Sequence, residues 1–216
     1  MASNILASTA AIAALSIFAA PAAAGITIFD TPGDVQPAEN VLIDDGLTGE
    51  TVFGHTNNSN TGVSFLSLTS GVSLEGFADG QARVEAIGSS LDALRFFLTS
   101  GDGFGEVEFD LHKAASNTDT VTVTFVGSFG TETRTFDLGN GNNWFSARTD
   151  AGDLITAVSF DTSGSGVGDI RQVRLGAFAG AIPSVPEPAT WAMMLCGFGA
   201  LGAAARRRTR TTARPA

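Results

Sequence analysis

The chain has 216 residues, with 12 basic and 22 acidic side chains, 16 Phe, no Tyr and a single Cys. Five of the basic residues lie after position 205, so residues 25–184 carry seven basic against 21 acidic side chains, a charge of −14. A body this acidic excludes nucleic acid and anionic lipid as partners, and its lack of cysteine excludes a disulfide framework.

From the start of the chain, residues 1–24 read as a secretory signal peptide. Ile5 to Ala20 is apolar and uncharged, and Ala22-Ala23-Ala24 offers small residues for signal peptidase before Gly25. No Lys or Arg precedes the apolar run, so the α-amino group alone supplies positive charge. The next 160 residues, 25–184, suffice for one domain with its own core.

Period-two alternation dominates that domain. Thr120 to Phe125 places Val121, Val123 and Phe125 on one face. Val107, Phe109 and Leu111 oppose Glu106, Glu108 and Asp110, and Leu94, Phe96 and Leu98 alternate around Arg95. Further strands are predicted at 62–69, 82–87, 132–138, 154–160 and 169–176, separated by turns at Asp79-Gly80, 100–103, 139–143 and 163–166. No helical period is sustained; the best case is a turn near Ser89 to Ala93. About ten strands without helices predict an all-β fold, an antiparallel β-sandwich of jelly-roll type. Phe96-Phe97 suggests a central strand covered on both sides.

Motifs for catalysis are sparse. His55, in a polar Gly-His-Thr-Asn turn, and His112, at a strand end, are far apart. There is no His-x-x-x-His pair, Gly-x-Ser-x-Gly or Cys/His set. Glu106, Glu108 and Asp110 have the i, i+2 spacing of one strand face, about 7 Å per step. They could serve a glycosidase, but the solvated outer face of a strand predicts the same residues and is the favoured reading. The turns Asp44-Asp45-Gly46, Asp102-Gly103 and Asp150 to Asp153 could supply oxygens to Ca²⁺, yet Asp and Gly in turns need no metal. Trp144 and Phe145 beside Asn142 and Asn143 could form a sugar-stacking platform, although the absence of Tyr is unusual for one. No catalytic residue, metal ligand or cofactor is therefore assigned.

The end of the chain is more specific. Pro186-Glu187-Pro188 is held extended by its prolines. An uncharged apolar run follows, residues 189–205, with Trp191 at its entrance. As a single transmembrane helix it would span roughly 25 Å against a ~30 Å hydrocarbon core. Arg206, Arg207 and Arg208 then act as a stop-transfer cluster that stays on the cytoplasmic side, and Cys196 is a small apolar residue of the run. Gly197, Gly199 and Gly202 permit close helix contact.

Residues 185–216, with the string Pro-Glu-Pro-Ala-Thr-Trp-Ala-Met-Met, resemble the PEP-CTERM sorting signal of Gram-negative bacteria. That resemblance implies export and transient retention in the inner membrane. It also implies processing by an exosortase at Pro186, Glu187, Pro188 and Trp191, and an envelope or extracellular-matrix destination alongside exopolysaccharide. The phrases Gly80 to Ala86, Leu138 to Gly141 and Asp169 to Leu175 are similar to a β-rich domain recurrent among such proteins, which carries no assigned activity. Two functions are expected in consequence: a non-enzymatic envelope protein, or a secreted carbohydrate-binding or carbohydrate-active one.

Overall fold

The structure, a computed structural model, describes residues 25–78, 82–113, 119–150 and 152–178, together with 194 and 196–198. The fold is all-β. Fourteen strands run in chain order: β1 Ile26–Phe29, β2 Glu39–Ile43, β3 Thr48–Gly49, β4 Thr51–Thr56, β5 Gly62–Ser67, β6 Leu74–Phe77, β7 Arg83–Ala86, β8 Ala93–Leu98, β9 Phe104–Lys113, β10 Asp119–Gly127, β11 Gly130–Leu138, β12 Gly141–Thr149, β13 Ile155–Asp161 and β14 Asp169–Phe178. All belong to one compact unit, Ala24–Ser184.

The strands do not form the two free sheets of a jelly roll. They are all antiparallel, and seven of them close a barrel in the order β9-β13-β8-β5-β4-β2-β14. The ring is uneven. Broad pairings such as β4–β5 and β5–β8 alternate with two thin seams, where β13 meets β9 through Ile155↔Phe104 alone and β14 meets β2 through Arg174↔Asn40 and Leu175↔Glu39. Two layers therefore exist, but they are stitched together at both seams. Outside the ring, the β10–β11 hairpin extends from β13, while β1 and β12 extend from β9 and β7, β6 and β3 from β14.

The core follows the alternation. Val107, Phe109 and Leu111 of β9 and Val121, Val123 and Phe125 of β10 are fully buried. A chain of ring contacts crosses the interior, Phe65–Phe96–Phe109–Phe145–Phe136, with centroids 5.1–5.8 Å apart. This is the separation at which offset and edge-on aromatic pairs attract, and it is where the abundant Phe goes.

Six strands lie where no strand was expected: β1, β2, β3, β4, β6 and β12. His55 lies within β4 rather than in a turn, and β12 starts inside the predicted 139–143 turn. Ser89 to Ala93 forms no helix. In β8, Phe96 is buried but Phe97 is only half-buried, with the Arg95 guanidinium 5.4 Å from its ring centroid in place of a second layer. The Asp79-Gly80 turn lies outside the described residues.

In the tail, Met194 and residues 196–198 are helical and exposed, and Cys196 is a free thiol. Among the described residues no helix is long and apolar enough to cross a membrane. The predicted signal peptide 1–24 and most of the predicted span 189–205 lie outside the described residues. So do Pro186, Glu187, Pro188, Trp191, Arg206, Arg207 and Arg208.

Candidate functional site

The outer face of β7, β14, β9 and β12 is polar, and it is not the solvated surface its sequence suggests. β1 pairs with β12, whereas β2 pairs with β14. The nine residues joining them, 30–38, must therefore cross over β12, β9 and β14. Four inter-strand steps amount to about 19 Å, within reach of nine residues. This strap covers Glu108. Its Val35 is buried, and the Gly33 N–H donates to Glu108 Oε2 at 3.0 Å. Gly176 of β14 leaves it room: a Cβ there would stand 2.9 Å from Glu106 Oε2 and 3.2 Å from Pro37 Cα.

The acidic row of β9 is consequently dissimilar along its length. Glu106 is half-buried, whereas Glu108 and Asp110 are 3% and 0% exposed. Glu108 uses its other oxygen to accept from Arg174 at 3.3 Å, so both oxygens are engaged. Asp110 Oδ1 accepts the Asn143 N–H at 2.7 Å, while its Oδ2 is buried with no partner. Burial pushes the Asp110 carboxyl up to about 6, against the opposing pull of the Asn143 N–H and of Arg171. Arg171 and Trp144 stand opposite Asp110 on the two neighbouring strands. Arg171 forks onto Asp169, which holds its guanidinium above the ordinary value. His112 Nδ1 lies 3.0 Å from Asn142 Oδ1.

The expected Trp144–Phe145 platform is therefore divided by the pleat. Trp144 is half-buried on the outer face, but Phe145 points inward against Phe109 and Phe136. Asn143 is consumed locally: its Nδ2 donates to the Leu111, Gly139 and Gly141 carbonyls, and its Oδ1 accepts the Gly139 N–H. Of the four residues only Asn142 and Trp144 face outward.

In the Asp-rich turns the carboxylates of Asp44, Asp45 and Asp153 are engaged. Asp44 Oδ1 lies 3.2 Å from His55 Nδ1, and Asp45 accepts the Ala78 N–H. Asp153 accepts from Ser128 Oγ and the Gly25 N–H. No group of three or more His, Cys, Asp or Glu able to hold a metal occurs among the described residues.

A groove that the sequence did not signal lies beside this face. β7 and β2 share one edge of β14, pairing with residues 169–171 and 174–175 respectively. Between them β14 carries one residue too many against β9: Arg171 faces Asp110 and Arg174 faces Glu108. This is a β-bulge, and Gln172 takes a left-handed φ of 51° to make it. Where the two strands part, an open groove of about 450 Å³ remains, lined by Asn40, Val41, Leu42, Ala82, Gln172, Val173 and Arg174. Its lining combines Asn40, Gln172 and Arg174 with the exposed Leu42 and with Val41 and Val173 of the core. Arg174 Nε is buried without a hydrogen-bond partner. Gln172, left-handed and with its N–H donating to the Ala82 carbonyl at 3.4 Å, is the local feature that shapes the groove, and φ is not legible in a sequence.

Comparison with solved structures finds two variants of the family 29 carbohydrate-binding module CBM29-2. Each is 13% identical with a TM-score of 0.26, the alignment covering 72% of this chain and 89% or 90% of theirs. It also finds the enzymatically active domain of bacteriophage CBA120 tailspike protein 4, 17% identical with a TM-score of 0.24, covering 73% of this chain and 19% of that one. At these scores the likeness does not establish a shared fold. No curated protein matches the chain. The family comparison is specific: residues 184–208 match the PEP-CTERM protein-sorting motif. The chain thus carries a PEP-CTERM sorting signal near its C-terminus, the mark of a secreted, cell-envelope-directed protein.

Proposed function

We propose that this is an exported envelope or extracellular-matrix protein whose β domain is non-enzymatic and holds exopolysaccharide in the groove at the β14 bulge. The observation that carries the delivery half is the sorting motif at 184–208. In this reading signal peptidase removes residues 1–24 and the apolar run 189–205 anchors the chain transiently in the inner membrane. Arg206, Arg207 and Arg208 remain inside, and an exosortase processes the Pro186-Glu187-Pro188 region. The chemistry of sorting belongs to that enzyme, and this chain is its substrate.

The groove supports the glycan half. Sugars present hydroxyls around a ring of C–H groups, so they suit amide and guanidinium donors set against apolar side chains. Asn40, Gln172 and Arg174 supply the donors; Val41, Leu42, Ala82 and Val173 supply the wall. The non-enzymatic reading is supported by the engagement of both Glu108 oxygens beneath the strap. One observation favours a carbohydrate-active alternative: Asp110 has a raised pKa and an unpartnered oxygen. Polysaccharide hydrolysis by the wild type that vanishes in Asp110→Asn would support it.

Two experiments test the proposal. Replacing Pro186, Glu187 and Pro188 with Ala should leave the protein at the inner membrane, and unchanged processing and release would contradict the sorting half. A glycan array on the exported protein should report neutral polysaccharide, in keeping with the acidic body. Asn40→Ala and Gln172→Gly should each weaken that binding about 3- to 10-fold, the value of a net hydrogen bond. Binding unchanged in both variants would remove the groove from the account.

A further inference from the structure

β11 is the longest open edge among the described strands. It pairs with β10 along its whole length, Asp119↔Leu138 to Gly127↔Gly130, and no described strand lies on its other side. Residues 130–135 are all exposed. The hairpin turns through two residues, Ser128 and Phe129. In such a hairpin the closing pair, Gly127 and Gly130, is hydrogen-bonded, and bonded and non-bonded pairs alternate from there. Glu132 and Arg134 therefore turn their backbone groups toward β10, while Thr131, Thr133 and Thr135 turn theirs outward. An edge of this kind is a ready template for another strand.

We infer that β11 pairs with the β11 strand of a second copy, antiparallel about a two-fold axis at Thr133. In that register Thr133 faces Thr133 of the other copy, Thr131 faces Thr135, and all three outward residues make hydrogen-bonded pairs. Glu132 then stands opposite Arg134, twice, at the non-bonded positions where side chains approach most closely. Moving the register one step either way sets Glu132 against Glu132 or Arg134 against Arg134, and like charges directly opposite are destabilising. The charge pattern thus disfavours the two neighbouring registers, and the Thr133-centred alignment is the one that sets Glu132 opposite Arg134. The Thr face supports it: Thr122–Thr135 and Thr124–Thr133 hydroxyl contacts at 3.2 and 3.1 Å already form a ladder that the second copy would continue. The product is a sheet running unbroken from β13 of one molecule to β13 of the next. Such pairing would join copies of an envelope protein without using the groove.

The test is sedimentation of the exported protein over a concentration series, with near-UV circular dichroism confirming each variant's fold. The wild type should form a dimer as concentration rises. Glu132→Arg and Arg134→Glu should each abolish it, and the double swap should restore it. Thr133→Pro removes an outward N–H that β10 does not use, and should leave a folded monomer. In a Cys196→Ser background, Thr133→Cys should form a covalent dimer without reductant, because the two sites would stand about 5.5 Å apart. A wild type that stays monomeric throughout would overturn the inference and leave Glu132 and Arg134 as guards against aggregation. A dimer indifferent to all these substitutions, or a heterologous protein bound along β11 in its place, would overturn it as well.

Discussion

Two strands that read alike in sequence meet opposite fates. β9 alternates Val107, Phe109 and Leu111 with Glu106, Glu108 and Asp110; β10 alternates Val121, Val123 and Phe125 with Thr120, Thr122 and Thr124. Their apolar sides are equally buried. Their polar sides differ. On β10 the threonines remain partly or wholly open, whereas on β9 Glu108 and Asp110 are sealed. The difference lies in topology. β9 sits between β12 and β14, and the strap from β1 to β2 must cross it, while β10 and β11 project from β13 beyond the ring. Alternation tells which side of a strand faces the core. It does not tell whether the other side meets water.

Substitutions on the two strands should differ accordingly. The largest effect is expected for Glu108→Ala, which leaves the Gly33 N–H and the Arg174 guanidinium without their acceptor. Removing one partner of a buried ion pair costs about 3–5 kcal/mol. Because Arg174 is partly exposed, about 3 kcal/mol is expected in urea melts. A loss under 1 kcal/mol would show that the strap does not seal this face.

Next comes Asp110. Its folded pKa of about 6 lies above the ordinary 3.8, so the folded state holds the proton more tightly than the unfolded state. The sign follows from linkage: stability contributed by protonated Asp110 is full below pH ~4, falls as the pH rises to ~6, and is then level. The span corresponds to about 3 kcal/mol. Asp110→Asn, which keeps an oxygen for the Asn143 N–H, should remove this slope. Its stability relative to wild type should rise between pH 4 and 6, in denaturant melts across that range. Parallel curves for the two proteins would contradict the buried-carboxylate reading.

The smallest effect belongs to the open strand. Thr124→Ala deletes a hydroxyl near Thr133 on a partly exposed face and should change stability by no more than about 0.5 kcal/mol. A loss comparable to that of Glu108→Ala would mean that the β10–β11 face is also covered, by a partner.

The same contrast explains how much could be read in advance. Strands β5, β7 to β11, β13 and β14 stand close to their predicted places, most plainly β8, β9 and β10, whose apolar residues alternate. β12 was hidden because Gly141-Asn142-Asn143 is turn chemistry locally, and only pairing with β9 makes it a strand. β4 was hidden by its Gly-His-Thr sequence. Its Gly54 serves close strand approach, since a Cβ there would lie 2.4 Å from the Leu42 carbonyl oxygen. Closure into a barrel rests on seams of one and two residue pairs between distant strands, which leave no local signature. The groove depends on an extra residue in β14 and on two strands parting, both relations between segments. The sorting motif was legible because it is a contiguous string whose meaning does not wait on folding.

The most direct test of the account is mass spectrometry of both termini of the protein recovered from the medium and cell surface. The account predicts a chain beginning at Gly25 and ending near Pro186 to Pro188, without Arg206, Arg207 and Arg208. An intact 216-residue polypeptide recovered from the cytosol, uncut at either end, would contradict it.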